Sequence, residues 1–282
     1  MRWSAMAMLS CQLLFGLSAE AQQLSVIYIE GQVSIKNGTA WDELSIGDSV
    51  SASAILRLDA EACARLSGGE VEIALTRPGL YQIRDIVVAH KAFSSGGVGA
   101  TIDSVFRQLV IGTPVDKGSV SGARCAGFIE DGKDLLGSGR KKEAIEQLSR
   151  ALELATESGT AQINYYLAYA YLEDGMLQKA LEKTEGVRPS ANELWVKDFV
   201  LLKARLLIEC NAYAESVSWL TTNEAGALAQ DAHRASLYDL LLGIAYCGAG
   251  DKEKAKLALQ EVVNLSPKSE LGNSAEVMLA SL

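Results

Sequence analysis

Leu242-Gly243-Ile244-Ala245-Tyr246, followed by Gly250-Asp251 and then Ala255-Lys256-Leu257-Ala258-Leu259, is the stretch on which the reading of this chain turns. A small residue and an aromatic precede a Gly-Asp turn, and a second small residue and a leucine follow it four apart. Residues four apart share one helix face, and Gly-Asp supplies turn chemistry, so the stretch reads as two helices folded back on each other. The same lettering recurs upstream. Ala144 and Leu148 follow Gly139-Arg140, Ala180 follows Gly175-Met176, and Ser216 and Leu220 follow Asn211-Ala212. The small residues at 144, 180, 216 and 255 repeat at intervals of 36, 36 and 39 residues. A period close to about 34 residues with a turn inside it predicts a helical-hairpin solenoid. Small residues at Gly132, Ala168, Ala204 and Gly243 in the first helices let the second helices approach, and Tyr171 and Tyr246 fill the space between successive hairpins. Glu270 to Leu282 reads as a terminal capping helix.

These motifs resemble the tetratricopeptide repeat. The fourth unit carries the likeness best, through Leu242-Gly243-x-x-Tyr246, Ala255, Leu259 and Pro267. The second offers Leu167-Ala168-x-x-Tyr171, Gly175 and Ala180, with Thr184 where a large apolar residue is expected. The third unit matches most weakly. The likeness covers Cys125 to Leu282 and implies a groove lined by the first helix of each hairpin. Carried onto this chain, the groove positions are Ile129, Lys133, Tyr165, Tyr169, Glu173, Leu201, Arg205, Glu209, Leu240 and Ile244. Tyr165 and Tyr169 share a helical face, and beside Lys133, Arg205 and Glu209 they are expected to be exposed as aromatic and charged anchors for a protein or peptide partner. The set of Asn and Lys that clamps a peptide carboxylate in chaperone-binding members is missing, which disfavours that ligand class.

The first part of the chain has a different grammar. Val33 and Ile35 alternate with polar residues and run into Asn37-Gly38, and Val71, Ile73 and Leu75 alternate before Pro78-Gly79. Short alternating runs between turn signals predict β-strands from Leu24 to about Val88. Gly31-Gln32-Val33, Trp41-x-x-Leu44-x-x-Gly47, the run through Ile55 to Leu66 and Gly69, and Ser119-Val120-Ser121-Gly122-Ala123-Arg124 together resemble a FecR-type periplasmic domain, which implies fold and compartment. Val98, Ile102, Val105, Phe106 and Leu109 lie on one face of a connecting helix. Ser94 to Gly97 and Thr113 to Gly118 read as flexible joints. The expected architecture is α+β in two domains. A signal peptide (1–21) precedes a FecR-like β domain (22–88), a connecting helix and linker (89–122), and a repeat domain of about four hairpins plus a cap (123–282).

The 282 residues are 49% apolar and carry a formal net charge of −9, a balance that repels nucleic acid. Met1-Arg2, the apolar run from Trp3 to Leu17, and Ala19-Glu20-Ala21 form an export signal with cleavage before Gln22. The alternative is an uncleaved inner-membrane anchor. Beyond Cys11, the thiols Cys63, Cys125, Cys210 and Cys247 fit no metal spacing. Aligning the third and fourth units makes Cys210 and Cys247 the candidate disulfide pair, while buried free thiols remain open. His90 and His233 fall in different regions, no nucleophile elbow or paired Cys-x-x-Cys appears, and Gly96-Gly97-Val98-Gly99 lacks the ending of a phosphate loop. No catalytic residue, metal or cofactor is expected. The reading is an exported, non-enzymatic scaffold or adaptor of the bacterial periplasm or envelope. The alternative is an envelope-sensing or cell-wall-binding protein whose β domain reads the ligand and whose repeats transmit it.

Overall fold

The computed structural model describes residues 23–69, 71–94, 97–115, 122–187, 195–223 and 231–282. The expected export signal, Ser95-Gly96 of the first expected joint, and Ser119–Ser121 of the stretch that resembles a FecR-type domain lie outside the described residues.

Eight strands open the fold: β1 (Gln23–Glu30), β2 (Val33–Asn37), β3 (Ala40–Glu43), β4 (Ser49–Ser51), β5 (Ile55–Leu58), β6 (Cys63–Gly68), β7 (Val71–Leu75) and β8 (Gly79–Gln82). They form two four-stranded sheets, ordered β4-β1-β6-β7 and β3-β2-β5-β8, with antiparallel pairing throughout. Alternation puts Leu24 and Val26, Leu56 and Leu58, Leu66, and Ile73 and Leu75 in the core. The β region ends earlier than the expected Val88. Ile83 starts a helix, α1 (Ile83–Ser94), whose buried Ile83, Ile86, Val87 and Ala89 follow helical spacing. The connecting helix is α2 (Val98–Gly112).

Four hairpins follow. They pair α3 (Gly122–Gly137) with α4 (Lys141–Leu154), α5 (Glu157–Glu173) with α6 (Leu177–Thr184), α7 (Val196–Glu209) with α8 (Tyr213–Thr222), and α9 (Ala232–Gly248) with α10 (Lys252–Leu265). The cap is α11 (Glu270–Ser281), packed on α10 and started by the Ser269 hydroxyl accepting from the Gly272 amide. The small positions do the work expected of them. A Cβ on Gly132 would lie 2.7 Å from Leu148 Cγ, and one on Gly243 would lie 2.8 Å from Leu259 Cγ. Thr184 is wholly buried and satisfies its hydroxyl on the Leu181 carbonyl one turn back, at 2.7 Å. Ser216 likewise reaches across to the Ala204 carbonyl at 3.1 Å.

Each hairpin turns through one left-handed residue: Gly139, Gly175, Asn211 and Gly250. Three are glycines, for which this region costs nothing. Asn211 takes the fourth place at φ 58 and uses its side chain, donating from Nδ2 to the Ala74 carbonyl of β7 at 2.8 Å and accepting from the Tyr213 hydroxyl at 3.0 Å. The third turn is thereby tied to the β domain, and Arg77 adds ion pairs to Glu215 at 3.2 Å and Glu185 at 3.7 Å.

The candidate disulfide is not formed. Cys210 and Cys247 are free, as are Cys63 and Cys125. Each thiol of the pair is an individual packing element: Cys210 sits beside Thr76 of the β domain, and Cys247 lies close to Tyr213, Lys252 and Asp85. Burial pushes both thiols up to about 11, so neither is a ready thiolate. Alkylation of the native protein at pH 8 should therefore modify half-buried Cys63 first and spare Cys210 and Cys247; a linked 210–247 peptide in the unreduced digest would contradict the structure. Asn211→Ala should melt lower than Asn211→Gly by about 1–2 kcal/mol of stability, because both lose the tether and only alanine strains the left-handed turn.

Candidate functional site

The face lined by α3, α5, α7 and α9 is where the resemblance placed a partner groove, and it is occupied. Helix α2 lies against α3, α7 and α11, and Thr113, Pro114 and Val115 continue from it along the same face. Residues 98–115 thus form a strap across the solenoid. Its apolar side, Val98, Ile102, Val105, Phe106, Leu109 and Val110, is buried throughout. Each such side chain contributes about 1.5–3 kcal/mol on leaving water, so the strap is held mainly by the hydrophobic effect.

The polar contacts fix its register. Lys133 Nζ of α3 donates to the Thr113 carbonyl at 2.7 Å, and the Tyr166 hydroxyl of α5 donates to the same oxygen at 3.2 Å. Gln162 Nε2 donates to the Pro114 carbonyl at 3.1 Å. The Thr113 hydroxyl donates to Asp198 Oδ2 of α7 at 2.6 Å. Asp198 is fully buried and is held by Arg234 of α9, through Nε at 2.7 Å and Nη2 at 3.2 Å. Arg234 in turn pairs with Asp231, the residue that caps α9. These carboxylates raise the Arg234 pKa against the opposing effect of burial. All four hairpins therefore supply part of one clamp on two consecutive strap residues.

A second tier holds the helical part. Arg205 pairs with Asp103 of the strap and with Glu209 at 3.4 Å, and its guanidinium lies 5.2 Å from the Phe106 ring centre. Arg107 of the strap reaches Glu173 at 3.4 Å, which Lys141 also approaches at 3.7 Å. Burial raises the Glu209 carboxyl above the usual carboxylate range, with Arg205 opposing the shift.

These observations correct the expected exposure of the groove. Ile129, Lys133, Tyr165, Tyr169, Leu201, Arg205, Leu240 and Ile244 are buried, and Glu173 and Glu209 are partly covered. Tyr165 stacks on Trp195 at 5.9 Å between ring centres, and Trp195 meets Phe199 edge-on at 5.8 Å, so Tyr165 is part of the core between the second and third hairpins. Tyr169 lies among Arg107, Arg205 and Glu173. Thr113 to Val115, read from sequence as part of a flexible joint, is pinned instead. The sequence reading located Lys133 and Arg205 and missed Gln162, Tyr166, Asp198 and Arg234. An acidic residue amid the apolar run Trp195 to Leu202 was the available signal, because a charge in a buried helix needs a partner.

Among the described residues, no three His, Cys, Asp or Glu side chains gather as a metal site, and no helix is long and apolar enough to cross a membrane. Asp198→Ala should lower stability by about 3–5 kcal/mol, since it leaves Arg234 without its main partner and frees the strap hydroxyl. Urea unfolding would measure it, and a loss under 1 kcal/mol would mean that the clamp does not hold the strap.

No curated protein matches the chain. Solved structures similar to it include two of MamA. MamA 41-end from Desulfovibrio magneticus RS-1 is 21% identical, with 57% of this chain and 94% of that chain covered and a TM-score of 0.44. The MamA RS-1 ArsTM double mutant is 21% identical, with 57% and 93% covered and a TM-score of 0.43. The family model for the tetratricopeptide repeat matches residues 239–269, which span most of α9, its turn and α10, so the fourth hairpin is a tetratricopeptide repeat.

Proposed function

We propose that this protein is a non-enzymatic scaffold of the periplasm or cell envelope that binds protein partners. The observation that carries the reading is the clamped strap. An array of helical hairpins here grips a helix and the extended Thr113-Pro114 segment after it by main-chain carbonyls, a buried carboxylate and an apolar stripe. That is recognition chemistry for protein, and the repeat match at 239–269 supports the same class. In this chain Lys133 and Arg205 of the groove hold the strap, Tyr165 packs between hairpins, and Leu240 and Ile244 are buried on α9, against which α1 packs. Partners meet the surfaces left open, and one that seeks the groove must replace the strap. The export signal Met1 to Ala21 supports the compartment.

A second reading, an envelope sensor, draws on the contacts across the joint. Asn211 to Ala74 and Arg77 to Glu215 couple the β domain directly to the third hairpin, so a ligand on one would be felt by the other.

Affinity recovery of the tagged mature protein from crosslinked envelopes should yield discrete protein partners. The Asp103→Arg chain, which sets two guanidinium groups against each other at the strap, should recover the same set if partners use the open surfaces, and new ones if they compete with the strap. Recovery of no protein above an untagged control would sink the scaffold reading.

A further inference from the structure

The two sheets meet the solenoid with edges treated differently. β7, one edge of the first sheet, is covered where Asn211 donates to the Ala74 carbonyl. β8, one edge of the second sheet, is paired with β5 alone. Its register sets Tyr81 opposite Leu56 and Leu80 opposite Arg57, and the Ile83 amide bonds the Ala54 carbonyl at 3.1 Å. Antiparallel ladders alternate, so Tyr81 turns its amide and carbonyl to β5 and Leu80 turns its own outward. Leu80 is also the most exposed large apolar residue of the β domain, at 68%.

That open edge faces a cleft of about 430 Å³ whose far wall is the third and fourth turns, with Ala212, Tyr213 and Ala249 among its lining. The volume lies within the roughly 300–1,000 Å³ usual for ligand clefts. Charge sits at both ends of β8. Arg77, before the strand, is anchored by Glu215 and Glu185, and its Nε has no acceptor. Asp85, after the strand, has its carboxylate against Gly250, where a Cβ would come within 2.7 Å of Oδ2. Arg84 and Lys252 act on Asp85 only at longer range, and desolvation raises its carboxyl above the usual range. Among the described residues its carboxylate makes no side-chain hydrogen bond or direct ion pair. The site thus presents an unpaired main-chain edge, an exposed leucine and a carboxylate in no direct ion pair, with Arg84 and Lys252 at longer range.

We propose that this cleft takes an extended peptide that adds as a strand along β8, setting an apolar side chain on Leu80 and a lysine or arginine at Asp85. Main-chain pairing would supply affinity, and Asp85 would set the direction and the charge of the sequence accepted. The proposal rests on the scaffold reading and names one surface through which it operates. It also gives the coupled joint a ligand, since a strand seated there touches the β domain and two hairpins at once.

The probe is a fluorescein-labelled octapeptide, Thr-Val-Thr-Val-Thr-Val-Thr-Lys amide, titrated with the full chain by fluorescence polarisation. Saturable binding is expected, weakened about tenfold by glutamate in place of lysine, the size of one lost charge-assisted contact. A proline at the central valine should abolish it. Asp85→Lys should reverse the lysine-over-glutamate preference, and Leu80→Pro, which removes the outward amide, should abolish binding of both peptides. No saturable binding up to millimolar peptide, or affinity that Asp85→Lys leaves unmoved, overturns the proposal. Crosslinked partners recovered equally by wild type and Asp85→Lys would leave the scaffold reading standing while the cleft falls.

Discussion

A carboxylate that never meets water governs this molecule. Asp198 sits on α7 with no exposed surface, and an ion in that position is tolerable only when its oxygens are paired. Arg234 reaches it from the next hairpin and Thr113 from the strap. Satisfying the charge therefore brings together segments far apart in sequence, and the remaining clamp bonds follow from where Thr113 must stand. Lys133, Tyr166 and Gln162 find the carbonyls of 113 and 114 within reach because the hydroxyl of 113 is already engaged. The apolar stripe of α2 supplies most of the energy, and the buried ion supplies the register.

The β domain is fixed by the same economy of special residues. A solenoid turn needs one residue in the left-handed region, and glycine would serve at every turn. At the third, asparagine accepts the strained position and returns a bond to β7. Gly250 is constrained from the other side: the left-handed turn and the neighbouring Asp85 carboxylate each exclude a side chain. The two turns nearest the β domain are shaped by it, while Gly139 and Gly175 face open space.

The hairpins were legible because their signals are local. Small residues at fixed offsets, turn glycines and the 36-residue spacing fix four helix pairs and a cap, and the strand alternation fixes a β unit before them. The filling of the groove was not legible. Tyr165 and Tyr169 carry the same letters whether water or α2 lies over them, and periodicity within one element cannot say which distant element covers it. The apolar face of α2 was visible in Val98, Ile102, Val105, Phe106 and Leu109, and an amphipathic helix that strong must bury its stripe somewhere. What the sequence lacked was the address, which rests on long-range pairs such as Asp103 with Arg205 and Thr113 with Asp198. The cysteine pair failed for a related reason: Cys210 and Cys247 lie near the ends of neighbouring first helices, two repeat positions apart, and nearness in repeat register does not by itself supply the geometry a disulfide demands.

A repeat array ordinarily folds as a chain of neighbours, each hairpin needing only the one before it. The strap removes that freedom. It precedes the whole repeat array, yet its seat includes α7, Arg234 of α9 and the cap α11, which are made more than 80 residues later. During synthesis, the apolar face of α2 must wait uncovered until the last hairpin exists. Such non-local closure slows folding and leaves a sticky helix exposed meanwhile. Once closed, the first hairpin and the cap are locked through the same helix, and the array gains the all-or-none cooperativity of a single globular domain in place of the piecemeal fraying of an open solenoid.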